Sequence, residues 1–92
     1  MSINPRDVPY YLQFIKRAEK EFSKLERFEQ EQVWEALLSL CAEARGDIKQ
    51  MKGEFKGHYR LSFGDLRVIF VRDGHLLEVR KIGRRKDIYK IK

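Results

Sequence analysis

Residues 59–82, YRLSFGDLRVIFVRDGHLLEVRKI, decide the fold of this chain. Apolar and polar side chains alternate along the stretch, as they do in strands with one buried face. The turn dipeptides Gly64-Asp65 and Asp73-Gly74 interrupt the alternation twice. The stretch therefore predicts three antiparallel strands joined by two tight hairpins.

The two turns also predict which residues lie opposite each other, because loop length sets the register of a hairpin. Two-residue loops place Ser62 opposite Arg67 across the first turn. Across the second turn they place Phe70 opposite Leu77 and Arg67 opposite Arg80. Like charges that face each other in a sheet repel. We therefore expect an anion to lie between Arg67 and Arg80.

This register assigns the side chains to faces, since successive side chains of a strand point in opposite directions. The apolar face, which helices would cover, carries Tyr59, Leu61, Phe63, Leu66, Val68, Phe70, Leu77 and Val79. The opposite face carries His58, Arg60, Ser62, Arg67, Glu78 and Arg80.

Two helices are predicted before these strands. Apolar residues recur at helical spacing in two runs, one of Ala18, Phe22 and Leu25, the other of Val33, Ala36, Leu37, Leu40, Cys41 and Ala44. Trp34, interpreted as a core residue, and Leu38 widen the second run, and Gly46 stands where a helix C-cap glycine belongs. Residues 10–15 alternate like a strand, but they could instead open the first helix.

The simplest fold is α+β, an N-terminal αα-hairpin packed on one face of a twisted antiparallel sheet. A chain of 92 residues leaves room for a single domain, 1–92. Residues 49–57 are interpreted as a basic loop that connects the helices to the sheet.

The net charge of +6 is unevenly distributed along the chain. Residues 1–44 hold six Lys or Arg and eight Asp or Glu, whereas residues 45–92 hold fourteen and six. A basic half of this kind attracts phosphates, membranes or acidic proteins.

The single cysteine, Cys41, rules out an internal disulfide and is interpreted as a buried thiol in a reducing compartment. No segment has the length of a signal-peptide core or of a membrane span. We therefore expect a cytoplasmic protein without a membrane partner.

The arginine-rich face has two interpretations. It could be a solvated sheet face with Glu78 and Asp87 as salt-bridge partners. The alternative is an anion-binding surface, which the sequence favours because arginine suits bidentate contacts with phosphate. A further basic cluster, Arg84-Arg85-Lys86, follows immediately. RNA is the polyanion that we expect to bind there.

Four segments carry a more specific signal, namely KQMKG (49–53), YRL (59–61), GDLRVIF (64–70) and IGRRKDIY (82–89). In this order they resemble the RelE/ParE superfamily of bacterial toxins, and the resemblance covers essentially the whole chain. It implies a toxin of a type II toxin–antitoxin pair. For the RelE branch it implies an endoribonuclease that cuts ribosome-bound mRNA without a metal ion or cofactor, and an acidic antitoxin as partner in a hetero-oligomer.

The resemblance also implies roles for single residues. Arg67 would stabilise charge on the scissile phosphate, and Arg85 would protonate the leaving oxygen or stabilise its charge. Arg60 would lie near the 2′-hydroxyl, and Tyr89 would stack on a base or orient it. Further RNA contacts are predicted for Lys52, Lys56, Arg80, Arg84 and Lys86.

Two positions depart from the family pattern and leave the general base open. Ser62 stands where a second lysine or arginine is often found, and Arg84 replaces a common histidine. His58 is the candidate replacement, because histidine exchanges protons near neutral pH. Its alternative interpretation is a solvated histidine at a strand edge.

Two other functions remain compatible with the sequence. One is inhibition of DNA gyrase without catalysis, as in the ParE branch of the superfamily. The other is RNA binding without cleavage, by a plain binding module or an inactive relative.

Overall fold

The alternating segment forms the middle of a five-stranded sheet in the computed structural model of the protein, which describes residues 3–88. In chain order the elements are β1 (Tyr11–Phe14), α1 (Lys16–Ser23), α2 (Arg27–Glu43), β2 (Asp47–Gln50), β3 (Tyr59–Phe63), β4 (Leu66–Asp73) and β5 (Leu76–Arg84). Across the sheet the strand order is β1-β5-β4-β3-β2.

The sheet is mixed, so the prediction of an antiparallel sheet is wrong at one edge. Residues 11–14 are a strand, and β1 runs parallel to β5 with Tyr11 opposite Leu76. The other neighbouring strands are antiparallel. A parallel neighbour requires a crossover connection, and here both helices and three strands lie between β1 and β5 in the sequence.

The other edge strand, β2, was not predicted, and its residues 49–50 fall in the predicted basic loop. Ile48 lies opposite Leu61, and Lys49 lies opposite Arg60. Three of the four residues in β2 are exposed. Such a strand shows little apolar alternation, because neither of its faces is fully buried.

The core lies between the helices and one face of the sheet. From the helices it includes Ala18, Val33, Leu37, Leu40 and Cys41, and from the strands Tyr59, Leu61, Leu66, Val68, Phe70, Leu77, Val79 and Ile82. The predicted apolar face is therefore confirmed, with Phe63 only partly buried at its end. Burial raises the pKa of the Cys41 thiol to about 11, which keeps this buried group protonated and unreactive.

Two features of α2 differ from the prediction, the burial of Trp34 and the residue that caps the end of the helix. Trp34 is 44% exposed and contacts the rings of Phe14 and Phe22 rather than the deep core. The helix α2 is capped by Ala44 in a left-handed conformation, not by Gly46. The antiparallel arrangement predicted for the two helix axes stays a prediction.

Gly46 instead allows a close approach of two segments. Its φ of +144° favours glycine, and a Cβ atom there would lie 2.6 Å from Cδ1 of the buried Leu61. The chain can therefore turn from α2 into β2 directly against the core.

The register of the first hairpin is confirmed, with Ser62 opposite Arg67, but the register of the second is wrong. Asp73 lies opposite Leu76, so the loop is Gly74-His75. Further from the loop, β5 has a bulge opposite the step from Ile69 to Phe70 of β4. The extra residue on β5 is Arg80.

The different loop and the bulge together change the neighbours of Arg67, because the loop shifts its partner by two residues and the bulge by one more. Ile69 lies opposite Lys81, and Arg67 lies opposite Gly83 rather than Arg80. A β-bulge adds one residue to one strand, which shifts every later pair. The repulsion expected between Arg67 and Arg80 is therefore absent.

None of the helices within residues 3–88 is long and apolar enough to cross a membrane.

Candidate nucleic-acid interface

The helices leave one side of the sheet uncovered, and we call this side the open face. By strand register it carries Asp47, Lys49, Arg60, Ser62, Arg67, Ile69, Val71, Glu78, Lys81 and Gly83. Most of its charged residues are cations, as predicted, although their neighbours differ from the prediction.

One row of opposed residues crosses the open face in the order Lys49, Arg60, Ile69 and Lys81. Neighbouring strands lie ~4.8 Å apart, so the backbones of Arg60 and Lys81 are separated by ~10 Å. Ile69 between them is only 1% exposed, although it lies outside the helix-covered core cluster. The cations Arg60 and Lys81 thus lie on either side of a buried apolar residue, Ile69.

Lys81 reaches from β5 towards the connection between β2 and β3. Its Nζ atom lies 5.7 Å from the centre of the Phe55 ring. Burial lowers the pKa of Lys81, Arg17 on α1 lowers it further, and Glu21 opposes the change. The neutral amine of Lys81 is therefore easier to form than that of an exposed lysine.

His58 lies beside this lysine through a shared aromatic contact. Its imidazole packs edge-on against the Phe55 ring, with 6.0 Å between the ring centres. Its Nδ1 atom is buried and has no hydrogen-bond partner within residues 3–88. The general-base role predicted for His58 stays a prediction.

Arg67 is held at the turn between β3 and β4. Its Nη1 atom donates to the carbonyl oxygens of Gly64 and Leu66, at 2.9 and 2.8 Å. These bonds use one of the three guanidinium nitrogen atoms, so they orient the group without consuming all its donors.

Arg85 is anchored at the same turn. Its backbone N–H donates to the carbonyl oxygen of Asp65 at 2.9 Å, while its side chain is exposed. Gly64 and Asp65 are adjacent residues, so the structure brings Arg67 and Arg85 to one end of the open face.

The C-terminal segment then folds back beside Arg67. Ile88 is buried, and its Cδ1 atom would lie 3.4 Å from a Cβ atom at Gly83. Gly83 lies opposite Arg67, so the turn after β5 borders the row that contains this arginine. Tyr89, for which base stacking is predicted, lies outside the described residues.

Several predicted RNA contacts lie apart from this group. Arg80 donates to Glu78 at 2.6 Å, so the pair expected of a solvated sheet face does form there. Arg84 lies opposite Leu66, on the covered side, and donates to Glu29 on α2 at 2.8 Å. Lys86 is exposed. RNA contacts by Arg80, Arg84 and Lys86 stay predictions.

The pairing of Arg84 with Glu29 predicts a loss of stability in Arg84→Ala. The Glu29 side chain is 9% exposed and also accepts the backbone N–H of Glu26. Loss of Arg84 would leave a nearly buried carboxylate without its cation, at a cost of about 1–3 kcal/mol in the free energy of unfolding. Urea denaturation measures this value. Arg85→Ala is the matched control, and equal stability of the two variants would contradict the assignment.

Lys81 is the open-face residue that the sequence analysis missed. Strict alternation from Val79 places Lys81 on the covered face. The core residues of β5 are Leu77, Val79 and Ile82. Val79 and Ile82 are three positions apart instead of the two of a regular strand, which indicates a bulge between them. That spacing was visible in the sequence.

Within residues 3–88, no three His, Cys, Asp or Glu side chains come together in a group that could hold a metal ion. For chemistry on an anion, the open face offers cationic groups, a lysine amine and aromatic rings.

Comparison with known proteins gives structural matches only. No family profile and no curated protein matches the chain. The RelBE2 toxin–antitoxin complex from Mycobacterium tuberculosis matches with a TM-score of 0.80 and 22% identity, over 91% of this chain and 100% of that chain.

Two further matches agree with it. The RelE-RelB complex from Pyrococcus horikoshii has a TM-score of 0.70 and 21% identity, over 87% of this chain and 99% of that chain. The intact Escherichia coli RelBE complex has a TM-score of 0.67 and 22% identity, over 82% of this chain and 95% of that chain. They give no support to the alternative of gyrase inhibition. The resemblance noted in the sequence is therefore confirmed in three dimensions, and this chain has the fold of the RelE toxins.

Proposed function

We propose that the protein is the toxin of a type II toxin–antitoxin pair and cleaves ribosome-bound mRNA in the cytoplasm. The observation that carries the proposal is that the Arg67 side chain and the Arg85 backbone are both hydrogen-bonded to the turn Gly64-Asp65, at one end of the open face. The shared fold of the RelE toxins supports the same activity.

The reaction we propose is attack of a ribose 2′-hydroxyl on the adjacent phosphorus. The O2′–P bond forms and the P–O5′ bond breaks, which leaves a 2′,3′-cyclic phosphate and a 5′-hydroxyl. One group must accept the 2′-hydroxyl proton, and another must protonate the 5′-oxygen. The phosphorane between these steps carries extra negative charge, which cations stabilise.

Arg67 and Arg85 are suited to the charge on the phosphorane. Bonds to the turn carbonyls orient the guanidinium of Arg67, and Arg85 begins from a backbone that is hydrogen-bonded to the same turn. A pre-oriented donor loses little freedom when the transition state forms, which favours its stabilisation. Arg85, whose side chain is exposed, is assigned to the leaving oxygen.

Lys81 is the proton acceptor that we assign for the 2′-hydroxyl. Its amine lies over the open face near Phe55, and its lowered pKa favours the neutral form that can accept a proton. Arg60, in the same row, cannot act as a base because arginine stays protonated in proteins. We assign Arg60 to electrostatic stabilisation near the 2′-oxygen.

Primer extension on mRNA from cells that express the protein tests this function. The wild type should produce cuts at in-frame codon positions, and Arg67→Ala should produce none. Arg27→Ala, which removes a 92% exposed arginine on α2, is the control and should cut like the wild type. Persistence of the cuts in Arg67→Ala, or their absence in the wild type, would refute the proposal.

We also propose an acidic antitoxin as partner. The RelBE and RelE-RelB structures are toxin–antitoxin complexes. In this chain Phe28, Trp34 and Leu38 on α2 are 44–62% exposed, which is apolar surface that a partner could cover. Co-purification of the tagged protein with the product of a neighbouring gene tests the proposal. Recovery of the toxin alone from its native operon would count against it.

A further inference from the structure

A cavity of about 580 Å³ lies where β2 and β3 meet their connecting segment. Its lining includes Gln50, Met51, Lys52, Lys56, His58 and Arg72. Ligand sites in proteins range from about 300 to 1,000 Å³, so the cavity has the size of a small-molecule site. The catalytic assignments above leave it without a role.

The charge of the lining favours an anionic ligand. Lys52 and Lys56 are exposed cations, and the residues that line the cavity include no carboxylate. Arg72 already pairs with Asp7 at 2.9 Å and has a 7% exposed side chain. The two lysines are therefore the cations that can move to meet a phosphate.

The other lining groups suit a nucleobase. Tyr59 and Met51 offer apolar surface, and the ring of Tyr59 is fixed by stacking on Phe70 at 5.5 Å. The amide of Gln50 can donate and accept hydrogen bonds at the edge of a base. His58 lines the same cavity, and its buried Nδ1 atom lacks a partner within residues 3–88. Buried polar atoms in proteins are normally hydrogen-bonded, so we expect a ligand or a water molecule to supply the partner of this atom.

Backbone hydrogen bonds organise the segment before any ligand arrives. Met51 donates to the carbonyl oxygen of His58 at 2.9 Å, and His58 donates to that of Phe55 at 2.9 Å. Lys56 donates to the carbonyl oxygen of Gly53, whose φ is +66°. The lysines thus stand on a closed loop, which lowers the entropy lost on binding.

The cavity lies at the β2 edge of the sheet, on the covered side, because Gln50, Tyr59 and Arg72 belong to that side by strand register. One series of contacts links it to the open face. His58 lines the cavity and packs on Phe55, and the Phe55 ring faces the amine of Lys81. A strand of RNA that passes Lys81 and bends around the edge of the sheet at His58 would therefore reach the cavity with a further nucleotide.

We propose that this cavity binds one nucleotide of single-stranded RNA, with the base inside and the phosphate at Lys52 and Lys56. The proposal rests on the proposed function, since it makes the cavity a specificity subsite for the RNA that is cut. The bound base would influence which codons are cleaved.

Methyl NMR on the whole protein tests the site directly. The chain has two methionines, Met1 and Met51, so selective methyl labelling provides one reporter in the cavity. Titration with each of the four nucleoside 5′-monophosphates should shift the Met51 signal, with different affinities for different bases. Inorganic phosphate at the same concentration should leave that signal in place.

Charge variants complete the test. Lys52→Ala/Lys56→Ala should weaken nucleotide binding about tenfold or more, because charge-assisted hydrogen bonds are lost. Lys20→Ala/Lys24→Ala removes two exposed lysines near α1 and should bind like the wild type. No shift with any nucleotide, equal shifts with phosphate, or equal losses in the two double variants would overturn the proposal.

The result is separable from that of the cleavage assay. Nucleotide binding at Met51 in a protein that cuts no RNA would support the subsite and refute the nuclease. Cleavage without nucleotide binding at Met51 would support the nuclease and refute the subsite.

Discussion

Replacing Arg85 with alanine is expected to slow RNA cleavage about 10²–10³-fold, because one donor to the developing charge is lost. The fold should not change. The side chain of Arg85 is exposed, and the bond from Arg85 to Asp65 uses the backbone N–H, which alanine keeps. Arg85 therefore allows catalysis to be separated from stability, whereas Arg67 also supports the turn.

Single-turnover cleavage of ribosome-bound mRNA measures the effect of Arg85→Ala, and urea denaturation checks the fold. Arg27→Ala is the matched control, since it removes an exposed arginine on α2. A cleavage rate constant within a factor of three of the wild-type value would exclude Arg85 from the reaction.

Lys81→Met is expected to slow cleavage about 10²–10⁴-fold, which is the usual contribution of a general base or acid. Methionine keeps an unbranched apolar side chain beside Phe55, so the change mainly removes the amine. In the wild type the rate should rise with pH as the amine of Lys81 loses its proton. In Lys81→Met this ascending limb should disappear.

Arg17→Gln tests the same assignment without touching the open face. Arg17 lowers the pKa of Lys81, so its removal should raise that pKa and move the ascending limb to higher pH. The variant changes only the charge at position 17. Arg60 in the same row keeps its charge, and Glu21 still raises the pKa of Lys81. An unchanged pH profile in both variants would show that another group accepts the proton. His58→Gln would then be the next variant.

Much of the fold could be predicted because its signals are local. Gly64-Asp65 sets a two-residue hairpin loop, and the register of β3 against β4 follows by counting. The period-two alternation shows which side of the strands is buried, because a shift by one residue would expose every core side chain. The edge strand β2 was missed because its exposed residues carry no such pattern.

The candidate site was predicted only in part, because the second hairpin has the loop Gly74-His75 instead of Asp73-Gly74 and also contains a bulge. With Arg80 as the extra residue, Arg67 lies opposite Gly83, and Lys81 moves onto the open face. The step of three between Val79 and Ile82 indicates the irregularity, but not the side chains that it brings together.

The sequence by itself determined the class of fold, the buried face of the strands and the basic character of the open face. Each depends on residues close together in the chain. Only the tertiary structure decided which cations lie on the open face and which are paired elsewhere. Arg84 meets Glu29 across 55 positions of the chain, and Lys81 meets Phe55 across two intervening strands. Contacts between distant segments depend on the packing of the whole domain, which no local pattern encodes.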